Sequence, residues 1–432
     1  MHKKIIVLFL IASILFSLFS LYSNASDIDI EGTNVDAYLL FDLKNNTTMA
    51  QSNCDVIISP SSTTKIMTAC IVLESGIDIE TEVEITSKVL QNTSGRNMEL
   101  KVGDKLTVKD LIYAMLCGGY NDATVALAYT ITPTLYEFVA LMNQKATELS
   151  MLSTHYANVT GMETDAAKTT VSDLGILAKY MAQNELFVEI CSTKTYKLSE
   201  ISTCRYATIH NRSSLLSDYS GISNFNTGSS NLGDCCILYY QTNASTLIAI
   251  VMNANSDDSD NTSNCAEEFG KKLLSFAKEN YSLTLVKTKN TIVASLPVKY
   301  SISSKNIDVY LSENIELFLE NIVDIEKDLT YDVQIFGNEL KAPIRPGDIV
   351  GTMTVSHNGV VLETVNLFIK DTVERNGFLY VMDLMKSFIL SIWFVMILAS
   401  ILFCVIWTRY RKKNKFRKKK RKRKNKSKKL KK

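Results

Sequence analysis

Residues 60–69 have the sequence PSSTTKIMTA. Proline followed by an apolar run at helical spacing predicts a helix that begins here, because proline fits a first turn, where its missing N–H costs nothing. Ser62 and Lys65 are three residues apart, so a helix places them on one face, one turn apart. An amine in that position can act as a base on a hydroxyl, with backbone N–H groups nearby to hold developing negative charge.

The same Ser-x-x-Lys spacing recurs at Ser275 and Lys278, in a lysine-rich run that is typical of the solvated face of a helix. Two fixed letters are therefore weak evidence on their own. Whether Ser62 and Lys65 form a catalytic pair or simply begin a helix depends on the rest of the chain.

The N-terminus indicates the compartment. Lys3 and Lys4 precede an apolar run over residues 5–22, and residues 23–25 form a small-x-small cleavage pattern. This pattern predicts a secretory signal peptide over residues 1–25. A retained N-terminal anchor is the alternative.

The C-terminus predicts a membrane anchor. Residues 387–407 contain 21 residues without a charge, which is long enough to span a bilayer as a helix. The tail over residues 408–432 carries 18 Lys plus Arg and no acid. Because positive charge stays on the cytoplasmic side, we expect the folded part outside and the tail inside, against anionic lipid head groups. A basic run also suggests nucleic acid, but its place beside a span favours the cell membrane, so no nucleic-acid partner is expected.

The net charge of +2 hides an asymmetry. Of the 47 Lys and Arg residues, 18 lie in the tail and two in the leader, which leaves 27 between residues 26 and 386 together with all 45 acids. This ectodomain is therefore near −18, which argues against a polyanionic ligand.

The cysteines and histidines predict no metal site. Eight of the nine cysteines lie outside the predicted span, an even number that permits disulfides in an oxidising space, but the sequence assigns no pairing. None of them has metal-ligand spacing, and the chain has only four histidines. We therefore expect no metal and no cofactor.

The pattern of apolar residues divides the ectodomain into two parts. Residues 26–282 mix helical and strand periods and are expected to form one large domain. Its predicted strands are 35–41 and 247–252, and its predicted helices are 65–73, 107–116, 170–183 and 267–278. Residues 283–375 change to short β-rich runs, which predict a small all-β domain. Those runs are 291–296, 307–311, 331–335, 349–355 and 360–369, and Asn358-Gly359 before the last is a strong hairpin signal.

Two later stretches give the first one a context. Gly119-Tyr120-Asn121 leads into an apolar helical run, and Asn226-Thr227-Gly228 is placed just before another strand. This order resembles the low-molecular-weight penicillin-binding proteins, the D-alanyl-D-alanine carboxypeptidases of serine peptidase family S11, whose motifs are Ser-x-x-Lys, Ser-x-Asn and Lys-Thr-Gly. The resemblance covers residues 35–372. Further matching stretches are 158–162, 170–174, 211–216 and 346–351.

The resemblance implies an α/β (α+β) fold, with a serine β-lactamase/transpeptidase-like domain in which an antiparallel sheet is flanked by helices. It implies that Ser62 is the nucleophile, that Lys65 is its base and that Asn121 positions substrate and lysine. Backbone N–H groups of Ser62 and of the strand after Gly228 would form the oxyanion hole. The implied partners are peptidoglycan stem peptides, with β-lactams as covalent inhibitors, and the implied role lies in cell-wall synthesis and cell shape.

Asn226, Thr227 and Gly228 occupy the substrate-binding motif, but two motifs depart from the family. The family's second serine, which helps relay a proton to the leaving amine, falls at Gly119. The family's third-motif lysine, which places charge near the substrate carboxylate, falls at Asn226. A proton relay contributes about 10²–10⁴-fold, and a hydrogen bond to a charged group about 1.5–3 kcal/mol, so we expect a combined loss near a thousandfold.

Several groups could compensate for these two changes. Water could occupy the space beside Gly119, and Tyr120 is the one local hydroxyl that could stand in for the serine. Arg205 or Arg212 could supply the missing charge if the fold brings either one close.

Three hypotheses follow. The first is an extracytoplasmic serine carboxypeptidase that trims the terminal D-alanine from stem peptides through an acyl-enzyme on Ser62. The second is a non-catalytic relative that binds stem peptides or scaffolds cell-wall assembly, motivated by Gly119 and Asn226. The third is a β-lactamase or esterase, which the β-rich domain and the membrane anchor disfavour.

Overall fold

A computed structural model describes residues 33–218, 220–256, 264–302 and 306–429. The predicted signal peptide over residues 1–25 lies outside the described residues. The described chain divides into two compact units. The first contains the chain up to Val286 together with Glu316–Tyr331 and Val355–Glu363, and the second contains Lys287–Ile315, Asp332–Thr354 and Thr364 onward. The boundary between residues 282 and 283 stays a prediction.

Helices cover much of the first unit and the C-terminal part of the chain. They are α1 Thr64–Glu74, α2 Ser87–Gln91, α3 Val108–Leu116, α4 Asn121–Ile131, α5 Leu135–Glu148, α6 Val171–Met181, α7 Glu185–Ser192, α8 Leu215–Asp218, α9 Cys265–Asn280, α10 Gly377–Ile389 and α11 Ile392–Lys429. The predicted helices over 65–73, 107–116, 170–183 and 267–278 are confirmed as α1, α3, α6 and α9, with ends shifted by up to two residues.

Strands occur in both units. They are β1 Thr33–Asp42, β2 Thr47–Ser52, β3 Glu82–Glu84, β4 Lys105–Thr107, β5 Thr195–Lys197, β6 Thr208–His210, β7 Ile222–Ser230, β8 Gly233–Gln241, β9 Thr246–Ser256, β10 Tyr281–Lys287, β11 Ile292–Leu296, β12 Val298–Lys299, β13 Ile307–Leu311, β14 Ile315–Glu320, β15 Leu329–Ile335, β16 Leu340–Lys341, β17 Ile349–His357 and β18 Val360–Ile369.

The main sheet has five antiparallel strands in the order β2-β1-β9-β8-β7. Successive side chains of a strand point to opposite faces. Leu39 and Ile250 belong to the core on one face, with α1, α3 and α4, whereas Leu40 and Leu238 pack on the other face against Phe269 of α9. The predicted antiparallel sheet flanked by helices is therefore confirmed.

The helix that carries the Ser-x-x-Lys motif lies at the centre of this unit. A 3-10 turn, Ser61–Thr63, follows Pro60 and runs directly into α1. All side chains from Thr64 to Val72 are buried, so this part of the helix has no polar face exposed to solvent. Ser62 is only half-buried, so the start of the helix opens to the surface while its body is enclosed.

The second sheet has the order β11-β13-β18-β17-β15. β17 and β18 are neighbours in it, joined by Asn358 and Gly359 with φ values of +48° and +79°. Positive φ at both positions matches the turn that an Asn-Gly pair predicts. The predicted all-β domain is confirmed, although β10 and β14, which pair with each other, escaped the sequence analysis.

The C-terminus forms two helices. One helix is long and apolar enough to cross a membrane, with a candidate span over Ile392–Arg411. Residues 387–389 of the predicted span over 387–407 belong to α10, and the helix is interrupted at Leu390 before α11 begins. The bounds of the span stay a prediction. The apolar side chains of α10 are exposed as well.

Candidate active site

The Ser62 hydroxyl lies against two side chains of the sheet edge. Its Oγ donates a hydrogen bond to Asn226 Oδ1 on β7 at 3.1 Å and lies 3.4 Å from Cys235 Sγ on β8. Asn226 also holds the backbone, because its Nδ2 donates to the Ser62 carbonyl oxygen at 3.0 Å. The side chain of Asn226 therefore fixes both the main chain and the hydroxyl of the predicted nucleophile.

Gly228 makes room for that hydroxyl. A Cβ atom at this position would lie 1.7 Å from Ser62 Oγ, so any side chain here would displace the nucleophile. The predicted motif residues Asn226 and Gly228 both contact Ser62, and they lie within β7 rather than before a strand as predicted. The strand ends at Ser230, so the N–H that follows Gly228 belongs to the strand itself.

The Lys65 amine is enclosed one turn further along. Lys65 is 4% exposed, and its Nζ donates to the Thr160 carbonyl oxygen at 2.8 Å. Thr160 belongs to the 158–162 stretch that supported the resemblance. The backbone of this loop therefore accepts the hydrogen bond that holds the Lys65 amine. The Ser62 hydroxyl is hydrogen-bonded to Asn226 and the Lys65 amine to Thr160, rather than to each other.

Burial lowers the pKa of Lys65 to about 7, and the nearby positive charges of Arg212 and Arg96 act in the same direction. Desolvation disfavours the charged form of an amine. A large share of the Lys65 amine is therefore neutral near pH 7, which is the form that can accept a proton from Ser62.

Arg212 occupies the space beside Gly119. A Cβ atom on Gly119 would lie 3.1 Å from Arg212 Cδ and 3.2 Å from its Nη1. That same Nη1 donates to the Thr227 carbonyl oxygen at 3.0 Å. The guanidinium thus lies between Gly119 of the second motif and Thr227 of the third motif. It brings a positive charge next to Asn226, where the family has a lysine.

Arg96 adds a second cation on this side of the site. Its Nε donates to the Gly118 carbonyl oxygen at 2.8 Å, and its guanidinium lies 5.1 Å from the ring centroid of Tyr120. Arg205, the other arginine that the sequence offered, instead forms an exposed ion pair with Glu99. Of the two arginines considered, the structure therefore brings only Arg212 to the motifs.

The backbone at Gly119 adopts a φ of +71°. L side chains rarely adopt this region, so a serine at 119 would be strained and would also press on Arg212. The substitution Gly119→Ser alone would therefore not restore the family's serine without backbone strain and a shift of Arg212.

Asn121 keeps one polar atom without a partner. Its Nδ2 donates to the Ser94 carbonyl oxygen at 2.7 Å, whereas its buried Oδ1 has no hydrogen-bond partner among the described residues. A buried acceptor without a partner is costly. Asn121 therefore keeps an unused hydrogen-bond acceptor at the start of α4.

The Thr227 hydroxyl lies outside the cluster around Ser62. Its Oγ1 is 2.7 Å from both Asn224 Oδ1 and Glu267 Oε1. Glu267 is buried on α9 and also accepts from Ser214. The contribution of Thr227 to the site is therefore its carbonyl, which Arg212 contacts.

Sequence reasoning missed Cys235 entirely. Register between β7 and β8 places it opposite Gly228, and burial raises its pKa, so it presents a neutral thiol to Ser62. An alternating pattern over 233–241 could have predicted β8, but only the strand pairing shows which residue faces Ser62. All nine cysteines are free thiols in the structure.

Two family models match this chain. D-alanyl-D-alanine carboxypeptidase matches residues 24–256, which is more than half of the chain, and the C-terminal domain of penicillin-binding protein 5 matches residues 281–375. The first match covers the part of the chain with mixed helical and strand periods, and the second covers the β-rich part.

Curated relatives carry the same description. The D-alanyl-D-alanine carboxypeptidase DacF of Bacillus subtilis is 27% identical over 332 residues, which cover 76% of this chain and 82% of the relative. DacC of Escherichia coli is 25% identical over 387 residues, which cover 84% and 90%.

Solved structures share the fold. A peptidoglycan synthesis regulatory factor, PBP3, from Streptococcus pneumoniae has a TM-score of 0.64 at 18% identity and covers 79% of this chain and 99% of its own. Penicillin-binding protein D2 of Listeria monocytogenes, in an ampicillin-bound form, has a TM-score of 0.50 at 22% identity and covers 58% and 98%.

Proposed function

The chain belongs to the D-alanyl-D-alanine carboxypeptidases, the low-molecular-weight penicillin-binding proteins of serine peptidase family S11, and from this premise we propose that it removes the terminal D-alanine from peptidoglycan stem peptides through an acyl-enzyme on Ser62. The observation that carries the proposal is the buried Lys65 amine one turn from Ser62, with a pKa of about 7.

The reaction begins when the Ser62 hydroxyl turns from Asn226 toward Lys65. Ser62 Oγ attacks the carbonyl carbon of the penultimate D-alanine, and the neutral Lys65 amine takes the hydroxyl proton. The peptide C–N bond then breaks, and the proton passes to the leaving amine, which departs as free D-alanine. Water hydrolyses the remaining ester and restores Ser62.

Binding of the substrate would rest on groups around this pair. Backbone N–H groups of Ser62 and of β7 after Gly228 would hold the oxyanion. Asn121 Oδ1 would accept a substrate N–H, and Arg212 would take the terminal carboxylate in place of the family's lysine. Charge-assisted hydrogen bonds from an arginine suit a carboxylate well.

The proposed activity is weaker than that of a relative with intact motifs. A positioned relay contributes about 10²–10⁴-fold, and Gly119 has no side chain to provide it. Arg212 offsets the loss of positive charge at Asn226, so the proton relay is the larger deficit.

The direct test is release of D-alanine from a diacyl-D-Ala-D-Ala peptide by the purified protein. We expect slow release that is lost in Ser62→Ala. Release by wild-type protein at the rate of Ser62→Ala would overturn the proposal.

A catalytically inactive relative that binds stem peptides or scaffolds cell-wall assembly is the second candidate. The resting contact of Ser62 with Asn226 rather than with Lys65 favours it. A fluorescent β-lactam separates the two, because covalent labelling at Ser62 requires a reactive serine. We expect β-lactams to label Ser62, as ampicillin is bound by the Listeria relative.

For localisation, we propose a single-pass protein of the cell membrane. The catalytic unit would face outward, and the basic tail over 408–432 would remain in the cytoplasm. The candidate span over Ile392–Arg411 supports the anchor, and the positive-inside rule supports the orientation.

A further inference from the structure

The Ser62 hydroxyl has a neighbour that the proposed reaction leaves unused, the thiol of Cys235 on β8. Cys235 Sγ lies 3.4 Å from Ser62 Oγ. Gly228 is opposite Cys235 in the strand register, and a Cβ atom on it would lie 3.4 Å from the sulfur. Because Gly228 has no side chain, no group at that position separates the thiol from the hydroxyl. The thiol and the hydroxyl are therefore in direct contact.

The hydrogen bonds of Asn226 decide which of these two groups donates. The main-chain carbonyl oxygen of Ser62 can only accept, so the amide atom 3.0 Å away from it is Asn226 Nδ2. The Oδ1 of Asn226 then faces the Ser62 hydroxyl at 3.1 Å, and this oxygen also can only accept. The single proton of the hydroxyl is thus directed to Asn226. The S–H group of Cys235 must therefore donate to Ser62 Oγ.

Cys235 keeps the proton that this contact requires. The side chain is buried, and burial raises the pKa of the thiol above its ordinary value. Asn226 Oδ1 is a more distant acceptor, 4.0 Å from Sγ, so Ser62 Oγ is the closer of the two. A thiol is a weak donor, and its hydrogen bond strengthens when the acceptor gains negative charge.

A donor to Ser62 Oγ has opposite effects on the two halves of the reaction. In acylation Oγ is the nucleophile, and an S–H group on its lone pair lowers its tendency to attack. In deacylation the same atom is the leaving group, and the S–H group stabilises the negative charge that develops on it as the C–Oγ bond breaks. The contact should therefore favour hydrolysis of the acyl-enzyme rather than its formation.

We propose that Cys235 is a catalytic residue for deacylation, which donates a hydrogen bond to Ser62 Oγ while the acyl-enzyme is hydrolysed. Water attacks the ester carbonyl carbon and gives a proton to the neutral Lys65 amine. The C–Oγ bond then breaks, and the proton passes from Lys65 to Oγ. Cys235 keeps its own proton throughout, so the step remains an ester hydrolysis. This inference rests on the proposed function, since it takes the acyl-enzyme on Ser62 from it.

The lifetime of the acyl-enzyme tests this role. The full-length wild-type, Cys235→Ala and Cys235→Ser proteins are acylated with a fluorescent β-lactam, and two rates are measured, labelling and the loss of label after removal of free β-lactam. We expect Cys235→Ala to lose its label about threefold to tenfold more slowly than wild type, the range for one neutral hydrogen bond, and to be labelled at least as fast. Cys235→Ser supplies an O–H donor and should return the loss of label toward the wild-type rate.

Cys236→Ala is the matched control, because successive side chains of a strand point to opposite faces. Cys236 is also buried, and its Sγ donates to the Ala266 carbonyl oxygen at 3.1 Å. We expect wild-type rates in this variant. Equal lifetimes of the acyl-enzyme in wild type and Cys235→Ala would overturn the proposal. A joint fall of both rates in Cys235→Ala would also overturn it, because a merely structural role would have that effect.

The S–H stretching band of Cys235 tests the hydrogen bond without turnover. The infrared difference between the wild-type and Cys235→Ala proteins gives this band, and the same difference is taken on the Ser62→Ala background. We expect a higher frequency on the Ser62→Ala background, because the thiol loses its acceptor there. An unchanged frequency would reject the hydrogen bond and with it the role of Cys235.

The failure of this inference is distinguishable from the failure of the proposed function. Absence of both label and D-alanine release in the wild-type protein rejects the proposed function and the deacylation role together. A label whose lifetime does not depend on Cys235, or an S–H band that does not depend on Ser62, rejects this inference alone.

Discussion

Lys65 sets the chemistry at the scale of single residues, because only a neutral amine can accept the Ser62 proton. Its pKa is lowered from 10.5 to about 7 by burial and by two nearby arginines. The rate of Ser62 acylation by a β-lactam should therefore rise with pH around a midpoint near 7 and level off above about 8. A stopped-flow measurement between pH 5 and 10 gives this profile.

Lys65→Arg is the control for the pH profile, since a guanidinium remains protonated throughout this range. We expect at least a hundredfold loss of acylation in that variant. A wild-type rate that is flat with pH, or one with a midpoint near 10.5, would contradict a neutral base.

Arg212 should determine the preference for a free carboxylate. A hydrogen bond to a charged group is worth about 1.5–3 kcal/mol, which corresponds to roughly 10–100-fold. Arg212→Ala should therefore lower kcat/KM by that factor for a peptide with a free C-terminal carboxylate and far less for the matching C-terminal amide. Arg205→Ala, which removes an exposed arginine, is the matched control and should change neither. Equal losses for both peptides would reject the role of Arg212.

Sequence reasoning reached some of these residues and not others for a physical reason. Ser62 and Lys65 were predictable because one helical turn relates them. The contact of Arg212 with Gly119 depends on how a loop far along the chain returns to α3 and α4, and the contact of Cys235 with Ser62 depends on strand register. The local sequence pattern predicts neither of these two contacts.

Among the elements, α3 supports the site because it packs beside α4, which begins at Asn121. Thr107 caps α3 in a capping box, with its Oγ1 accepting from the Asp110 N–H and the Asp110 carboxylate accepting from the Thr107 N–H. Thr107→Ala should lower the free energy of unfolding by about 1 kcal/mol, whereas Thr107→Ser should retain the cap. Urea unfolding measures both, and equal losses in the two variants would show that the hydroxyl is not what matters.

β7 is one of the strands that the sequence did not predict. It contains Asn224, Asn226, Gly228 and three serines, which are residue types that are scarce in strands or weak in strand propensity. Its place at the sheet edge beside α1 holds it in the extended form despite that composition. The helices with clear caps, such as α6 after Thr170, were predicted to within two residues because their signals are local.

At the scale of the whole molecule, the anchor and the catalytic unit should be separable. A chain that ends at Leu390 lacks the candidate span over Ile392–Arg411. We expect alkaline carbonate to extract this shortened protein from membranes while the full chain resists extraction, and we expect both to label with a fluorescent β-lactam. Extraction of the full chain under the same conditions would reject a spanning helix.

Ser62 should be a reactive nucleophile despite Gly119 and Asn226. Mass spectrometry of the full-length protein after incubation with benzylpenicillin shows whether Ser62 is acylated. We expect one covalent adduct that maps to the peptide containing Ser62 and is absent from Ser62→Ala. No adduct on the wild-type protein, or an adduct that persists in Ser62→Ala, would contradict it.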